Sequence, residues 1–245
     1  MKKKGLKNKN ILAIIPARQG SRELKNKNIR RFCNKPLIYW AIKAAKKSKY
    51  INKLIISTDS KKIKDICKPF NVEVPFLRPK RISRDNSKSI ELIVHAINFF
   101  KKENQIFDYI VLLEPTSPLT TSKDIDKALE ILYKKDKIAD SIVGVSENIN
   151  KHPSFNVKIN NKGIIKPFQK KFLILRRQNL EKLYFYDGSL YISKTRKLIE
   201  NKGFYHNRTL AYKTQKWKSI EIDDIVDFII AETLFKNKKI LEKLY

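Results

Sequence analysis

Ile11-Leu-Ala-Ile-Ile15 is an apolar run through which no polar residue alternates, and Pro16 closes it. A strand with one face in water alternates, whereas a strand without alternation is covered on both faces, as in the middle of an α/β sheet. Proline has no N–H to give to a ladder, so the chain leaves the sheet at Pro16. Helices must therefore supply two covering layers, and the loop after Pro16 emerges at a carboxyl strand end, where open α/β sheets carry their ligands.

That loop holds Arg18, Arg22, Lys25 and Lys27, with Gly20 for backbone freedom and Ser21 and Asn28 as hydrogen-bonding side chains. The inventory suits a polyphosphate: guanidinium groups grip phosphate oxygens with a planar fork, ammonium groups act as mobile point charges, and backbone N–H groups in such a turn cradle anions. Neither common phosphate fingerprint, G-x-x-x-x-G-K-[ST] or G-x-G-x-x-G, is present. Taken alone, the stretch is equally consistent with a solvated basic loop.

The rest of the chain alternates in the same way. Pro36 suits a first helical turn before Ile38, Ala41, Ile42 and Ala45. Lys53 to Thr58 reads as a strand, and Ser60 as the cap of a helix carrying Ile63 and Ile66. Ser87 to Lys102 is helical in period, with His95 a structural member, and Asp108 to Leu113 is the next strand. It runs into Glu114-Pro-Thr-Ser-Pro-Leu-Thr120, whose prolines predict a rigid, exposed turn. Ser122 is the expected cap of the following helix, and Ser141 to Val145 the next strand. From Glu147 to Tyr186 the period dissolves into mixed polar and aromatic residues, which predicts a small β-rich arm. Asp187 to Ser193 restores a strand, Ile220 to Asp223 reads as a strand end delivering carboxylates, and a terminal helix carries Ile225, Phe228, Ile229 and Leu234. The expected fold is α/β, a three-layer, mostly parallel Rossmann-like sheet with right-handed crossovers. Its domain is 1–146 with 187–245, and the arm 147–186 is inserted in it.

The 245 residues carry 54 Lys+Arg against 24 Asp+Glu, a net charge of +30. Such a charge raises nucleic-acid binding as an alternative. The lysines, however, are spread over nearly every element and the aromatics form no stacking platform, so a general lysine and asparagine bias is the better reading. No apolar run reaches the roughly 18 residues of a membrane span and the N-terminus lacks a secretory apolar core, so a cytoplasmic protein is expected. Cys33 and Cys67 lack C-x-x-C spacing and read as plain thiols.

Pro16-Ala-Arg-Gln-Gly-Ser21 with Lys27-Asn28, Leu77-Arg-Pro79 with Asp85 and Ser89, Glu114 to Leu119, Asp187-Gly-Ser-Leu-Tyr191 and Glu221-Ile-Asp223 together resemble the acylneuraminate cytidylyltransferases, in order and over nearly the whole chain. The resemblance implies a nucleotidyltransferase that joins CMP from CTP to a nine-carbon 2-keto sugar acid of sialic, legionaminic or pseudaminic type, with release of pyrophosphate. By position, it implies that Ala17, Arg18, Gly20, Ser21, Arg22, Lys27 and Asn28 hold the triphosphate, and that Arg78, Asp85 and Ser89 lie by the ribose and base. It assigns Glu114, Thr116, Ser117, Phe155, Arg177, Phe185, Asp187 and Tyr191 to the sugar, and Asp223 with Glu221 to Mg²⁺ or Mn²⁺. Arg18, Lys27, Glu114 and Asp223 are the expected catalytic set. It further implies a homodimer whose arm reaches the neighbouring site, so that Arg177 serves the partner subunit.

The chain departs from the family at several of these positions. Arg22 stands where many relatives have lysine, Glu221 replaces an aspartate, and Glu114 replaces a glutamine. Phe155 and Phe185 stand where sialic acid enzymes carry a lysine and an arginine, which predicts a more apolar sugar such as a dideoxy, diamino acid. A related sugar-acid enzyme of the CMP-Kdo synthetase type, and a homologue that binds nucleotide without turnover, are the alternatives of similar fold.

Overall fold

The computed structural model describes residues 6–20, 23–148, 152–168 and 176–244. Strand β1 (Ile11–Pro16) leads through a loop to a short hairpin, β2 (Arg31–Phe32) and β3 (Lys35–Pro36), and then to α1 (Ile38–Lys46). There follow β4 (Lys53–Ser57), α2 (Lys61–Cys67), α3 (Ser89–Lys102), β5 (Tyr109–Leu112), α4 (Ser122–Lys134) and β6 (Ser141–Glu147). The arm contains the hairpin β7 (Val157–Ile159) and β8 (Ile165–Pro167), after which β9 (Tyr184–Lys194), α5 (Thr195–Glu200), β10 (Thr209–Lys213), α6 (Ile225–Lys236) and α7 (Lys238–Leu244) complete the chain.

The central sheet has the order β10-β6-β9-β5-β1-β4. Strand β9 runs antiparallel to β5 and β6, and the remaining pairs are parallel. The unalternating run of β1 is explained by its two neighbours in depth: Ile11, Ala13 and Ile15 enter the layer with α1, α2 and α4, while Leu12 and Ile14 enter the layer with α3 and α5. All five residues from Ile11 to Ile15 are fully buried. A third apolar cluster, Leu24, Phe32, Leu37, Ile222, Phe228 and Ala231, ties the hairpin and α6 to the loop after β1.

The structure moves several expected boundaries. Pro36 belongs to β3 rather than to the first helical turn, because Cys33 and Asn34 both take left-handed backbone (φ 44° and 67°) and close a two-residue hairpin ahead of α1. The cap of α4 is Thr121, not Ser122: its hydroxyl accepts from Asp124 N while the Asp124 carboxylate accepts from Thr121 N. Residues 220–223 are irregular rather than a strand end, since Ile222 N donates to Thr116 O (2.9 Å) in a bond outside any ladder. The turn after β5 is not exposed: Pro115, Ser117, Pro118 and Leu119 are buried. The pairing of β6 with β9 extends outward to Glu147 opposite Tyr184, so the central sheet continues into the base of the arm.

Candidate active site

Parallel strands β1, β4 and β5 end on one edge of the sheet, and antiparallel β9 enters near it at Asp187-Gly188. This geometry gathers residues from distant parts of the chain around a cleft of about 260 Å³, whose walls include Arg18, Gly20, Lys27, Asn28, Arg78, Asp85, Ser89, Glu114, Thr116, Glu221 and Asp223. The expected nucleotide residues are thus brought together, apart from three. Ser21 and Arg22 lie outside the described residues. Ala17 is fully buried, with its N–H donating to Ser57 O (2.9 Å), and supports the loop from beneath.

Arg18 and Lys27 are each positioned by a bond that crosses the fold. Arg18 pairs with Asp85 and so draws the 78–89 loop over the strand end. Asn28 donates from Nδ2 to Arg18 O (3.1 Å), which returns the loop upon itself. Lys27 Nζ donates to Ile222 O (2.8 Å) and meets Asp223 Oδ1 at 3.2 Å, joining the loop after β1 to the segment before α6. Arg78 is 5% exposed, donates from Nε to Ser83 Oγ (3.1 Å), and has no carboxylate in salt-bridge reach among the described residues. Burial pulls its guanidinium below the usual arginine range, with Asp59 opposing that effect. A buried cation of this kind is what an anionic ligand neutralises.

The carboxylates facing these cations titrate against one another. Burial, and then the nearby Glu221, raise Glu114 to about 7, against the opposing pull of Arg78 and Lys27. Desolvation in the cleft and the adjacent Asp223 raise Glu221 as well, while Thr116 Oγ1 reaches its Oε1 at 3.5 Å. Glu114 is thereby poised to take up or lose a proton near neutrality. Crowded hard oxygens also suit a divalent cation. No group of three metal-binding side chains occurs among the described residues.

Beside the cleft lies a second cavity of about 450 Å³ that shares Ser87, Ser89 and Glu114 with it and is walled by Ile90, Leu112, Tyr191, Phe204 and Tyr205, with Lys202 at its edge. Glu114 therefore stands between a polar cavity and an aromatic one. Sequence reasoning found Tyr191 but missed Lys202, Phe204 and Tyr205, which sit in a loop after α5 without a motif of their own. It also missed the role of Gly188. At φ +68° this glycine lies so close to Glu221 that a Cβ would sit 2.6 Å from Oε2.

Other expected sugar residues occupy different places. Asp187 is buried, accepting from Ser146 Oγ (2.9 Å) and Ser189 N (3.0 Å), and Ser117 Oγ donates to Gly188 O (3.0 Å). Asp187 thus ties β9 to β6 and Ser117 ties β9 to the turn after β5, and neither lines either cavity. Phe155 and Phe185 are exposed on the arm and its base, away from Glu114 in the same chain. Arg177 lies in a one-turn helix, and its side chain is outside the described residues.

Residues 12–243 match the protein family described as Cytidylyltransferase. The chain belongs to the cytidylyltransferase family. It is 36% identical over 230 residues to the CMP-N,N'-diacetyllegionaminic acid synthase of Legionella pneumophila, covering 92% of this chain and 96% of that one. It is 34% identical to the N-acylneuraminate cytidylyltransferase of Streptococcus agalactiae, over 95% of this chain but 55% of that longer protein. Identity to the pseudaminic acid cytidylyltransferase of Campylobacter jejuni is 28%, over 92% and 96% of the two chains. Among solved structures, CMP:2-keto-3-deoxy-manno-octonic acid synthetase complexed with CTP matches with a TM-score of 0.68 at 14% identity, over 94% of this chain and 99% of that one. At that identity the likeness concerns the fold alone. This cytidylyltransferase is thus a nucleotidyltransferase enzyme.

Proposed function

We propose that this enzyme transfers CMP from CTP to the anomeric hydroxyl of a nine-carbon 2-keto sugar acid, of the legionaminic, sialic or pseudaminic type, and releases pyrophosphate. The observation that carries the reading is the position of Glu114, shared by a polar cavity lined with cations and an aromatic cavity beside it. Triphosphate in the first and sugar in the second would bring the hydroxyl and the α-phosphorus together beside one carboxylate.

The sugar oxygen attacks the α-phosphorus, forming the new O–P bond as the bond to the β-phosphate breaks. Its proton passes to the Glu114 carboxylate, whose value near 7 suits that transfer. Arg18, Lys27 and Arg78 offset the charge that gathers on the departing pyrophosphate, the first two held in place before substrate arrives by crossing bonds and Arg78 by its bond to Ser83. Asp223 and Glu221 would hold Mg²⁺ or Mn²⁺, with phosphate oxygens completing the shell. The ion, when bound, supplies charge neutralisation on the phosphates.

For the sugar, the apolar and aromatic walls at Ile90, Leu112, Phe204 and Tyr205 favour a deoxy acid bearing acetamido methyl groups over a heavily hydroxylated one. This keeps the expectation of an apolar ligand but moves it to residues other than Phe155 and Phe185. Those two, with Arg177, belong to an arm that we assign to a homodimer, where they would face the neighbouring subunit.

The test is incubation with CTP, Mg²⁺ and each of N,N'-diacetyllegionaminic, N-acetylneuraminic and pseudaminic acids, following pyrophosphate and the mass of the CMP-sugar. Turnover that requires both CTP and one of these acids supports the reading. CTP binding with no CMP-sugar from any of them contradicts it.

A further inference from the structure

The protein has two tryptophans, and both line one cavity that lies apart from the cleft. This cavity, of about 200 Å³, is bounded by Trp40, Trp217 and Phe235, by Lys43, Lys47 and Lys238 with Glu242, and by Pro118 to Ser122 at the end of the turn after β5. The Trp40 and Phe235 rings lie with centroids 4.2 Å apart. Lys43 Nζ is 5.1 Å from the centre of the Trp40 ring and Lys238 Nζ 4.5 Å from that of Phe235. None of the lysines has a salt-bridge partner among the described residues, so the walls carry an excess of positive charge over the single Glu242.

The tryptophans differ in one respect. Trp40 donates from Nε1 to Phe32 O (3.0 Å), whereas Trp217 is 6% exposed and its Nε1 has no acceptor. With almost no accessible surface at that nitrogen, what Trp217 offers the cavity is apolar ring surface. We propose that this cavity is a second binding site, for a small aromatic anion: a single ring bearing a carboxylate or phosphate group. The ring suits the aromatic walls, the anion suits the lysines, and the volume, below the roughly 300 Å³ at which drug-sized pockets begin, limits the occupant to about one ring. The site adjoins chemistry through the turn itself. Its far end, Pro118 to Thr120, lines this cavity, while Glu114 and Thr116 at its near end line the nucleotide cleft.

The proposal does not depend on the sugar reading, and tryptophan emission reports on this cavity, since neither tryptophan lines the cleft. In saturating CTP and Mg²⁺, which occupy the cleft, titration with phenyl phosphate is expected to change the emission saturably, with a midpoint of about 1 mM or lower. Cyclohexyl phosphate, which lacks the aromatic ring, and benzyl alcohol, which lacks the charge, are each expected to need about tenfold more. Lys47→Glu, a change at an exposed helix end, should raise the phenyl phosphate midpoint about tenfold and leave pyrophosphate release without the probe unchanged. Trp217→Phe should also weaken binding, with Trp40 as reporter. A change that never saturates, or a midpoint unmoved by Lys47→Glu, overturns the proposal even if Trp217→Phe fails to fold.

Discussion

The nucleotide cleft and the arm hairpin are built by opposite means. The cleft is closed by bonds between residues far apart in the chain: Lys27 to Ile222 O, Ile222 N to Thr116 O and Ser117 to Gly188 O. Strands β7 and β8 pair only with each other and leave Val157, Ile159 (70% exposed), Ile165 and Phe168 (57% exposed) facing outward. An isolated two-stranded ribbon is marginal in water, and apolar surface gathered on it marks a contact to be made. One region is finished within a single chain, and the other is finished, on our reading, by a second copy.

The largest expected effect breaks the finished region. Asp223→Ala should lower kcat/KM for pyrophosphate release about 10³-fold, as removal of one preorganised charge does, while shifting the melting midpoint little because the Asp223 carboxylate is largely exposed and Lys27 keeps its bond to Ile222 O. A comparable loss of stability would show that the pair builds the fold instead. Gly188→Ala comes next. Its Cβ would displace the Glu221 carboxylate and force left-handed backbone on alanine, so we expect a loss of about 10–100-fold in rate and about 1 kcal/mol in stability, read by kinetics and thermal melting.

The arm is tested by Ile159→Asp with Phe168→Asp. Sedimentation should show the native chain as a dimer and the variant as a monomer, whereas Ile106→Asp, at an exposed but isolated site, should leave the dimer intact. A monomeric native chain would remove the contrast between the regions.

The smallest effect is on ligand-free stability. Glu114 is raised from an ordinary carboxylate value to about 7, so folding favours its protonated form, and stability from this group falls as pH rises from about 4.5 through 7. Glu114→Gln should therefore be more stable than the native protein at pH 8 by about 1–2 kcal/mol, after allowance for solvent in the cleft, and similar at pH 4. Denaturant midpoints at the two pH values check it.

The layered sheet was legible because Ile11 to Ile15 lacks the polar alternation of a half-exposed strand, which burial on both faces explains. The cations and carboxylates of the cleft were legible as residue types at strand ends, in matched order. What escaped was set by partners no local pattern encodes. Thr121 rather than Ser122 caps α4 because Asp124 returns the bond. The 115–119 turn is held down by bonds from distant segments, Ile222 N to Thr116 O and Ser117 Oγ to Gly188 O, and Phe204 and Tyr205 reach the second cavity from a loop without periodicity. Asp187 and Ser117 were read as ligand contacts, yet in the folded chain they bond to Ser146, Ser189 and Gly188.

The position of Glu114 between two cavities is the centre of the account, and the pH dependence of single-turnover pyrophosphate release tests it most directly. The native enzyme should gain rate with rising pH around a midpoint near 7, and Glu114→Gln should be slower by about 10²-fold or more with that step abolished. A Glu114→Gln enzyme that keeps the native rate, or the same step near 7, would contradict it.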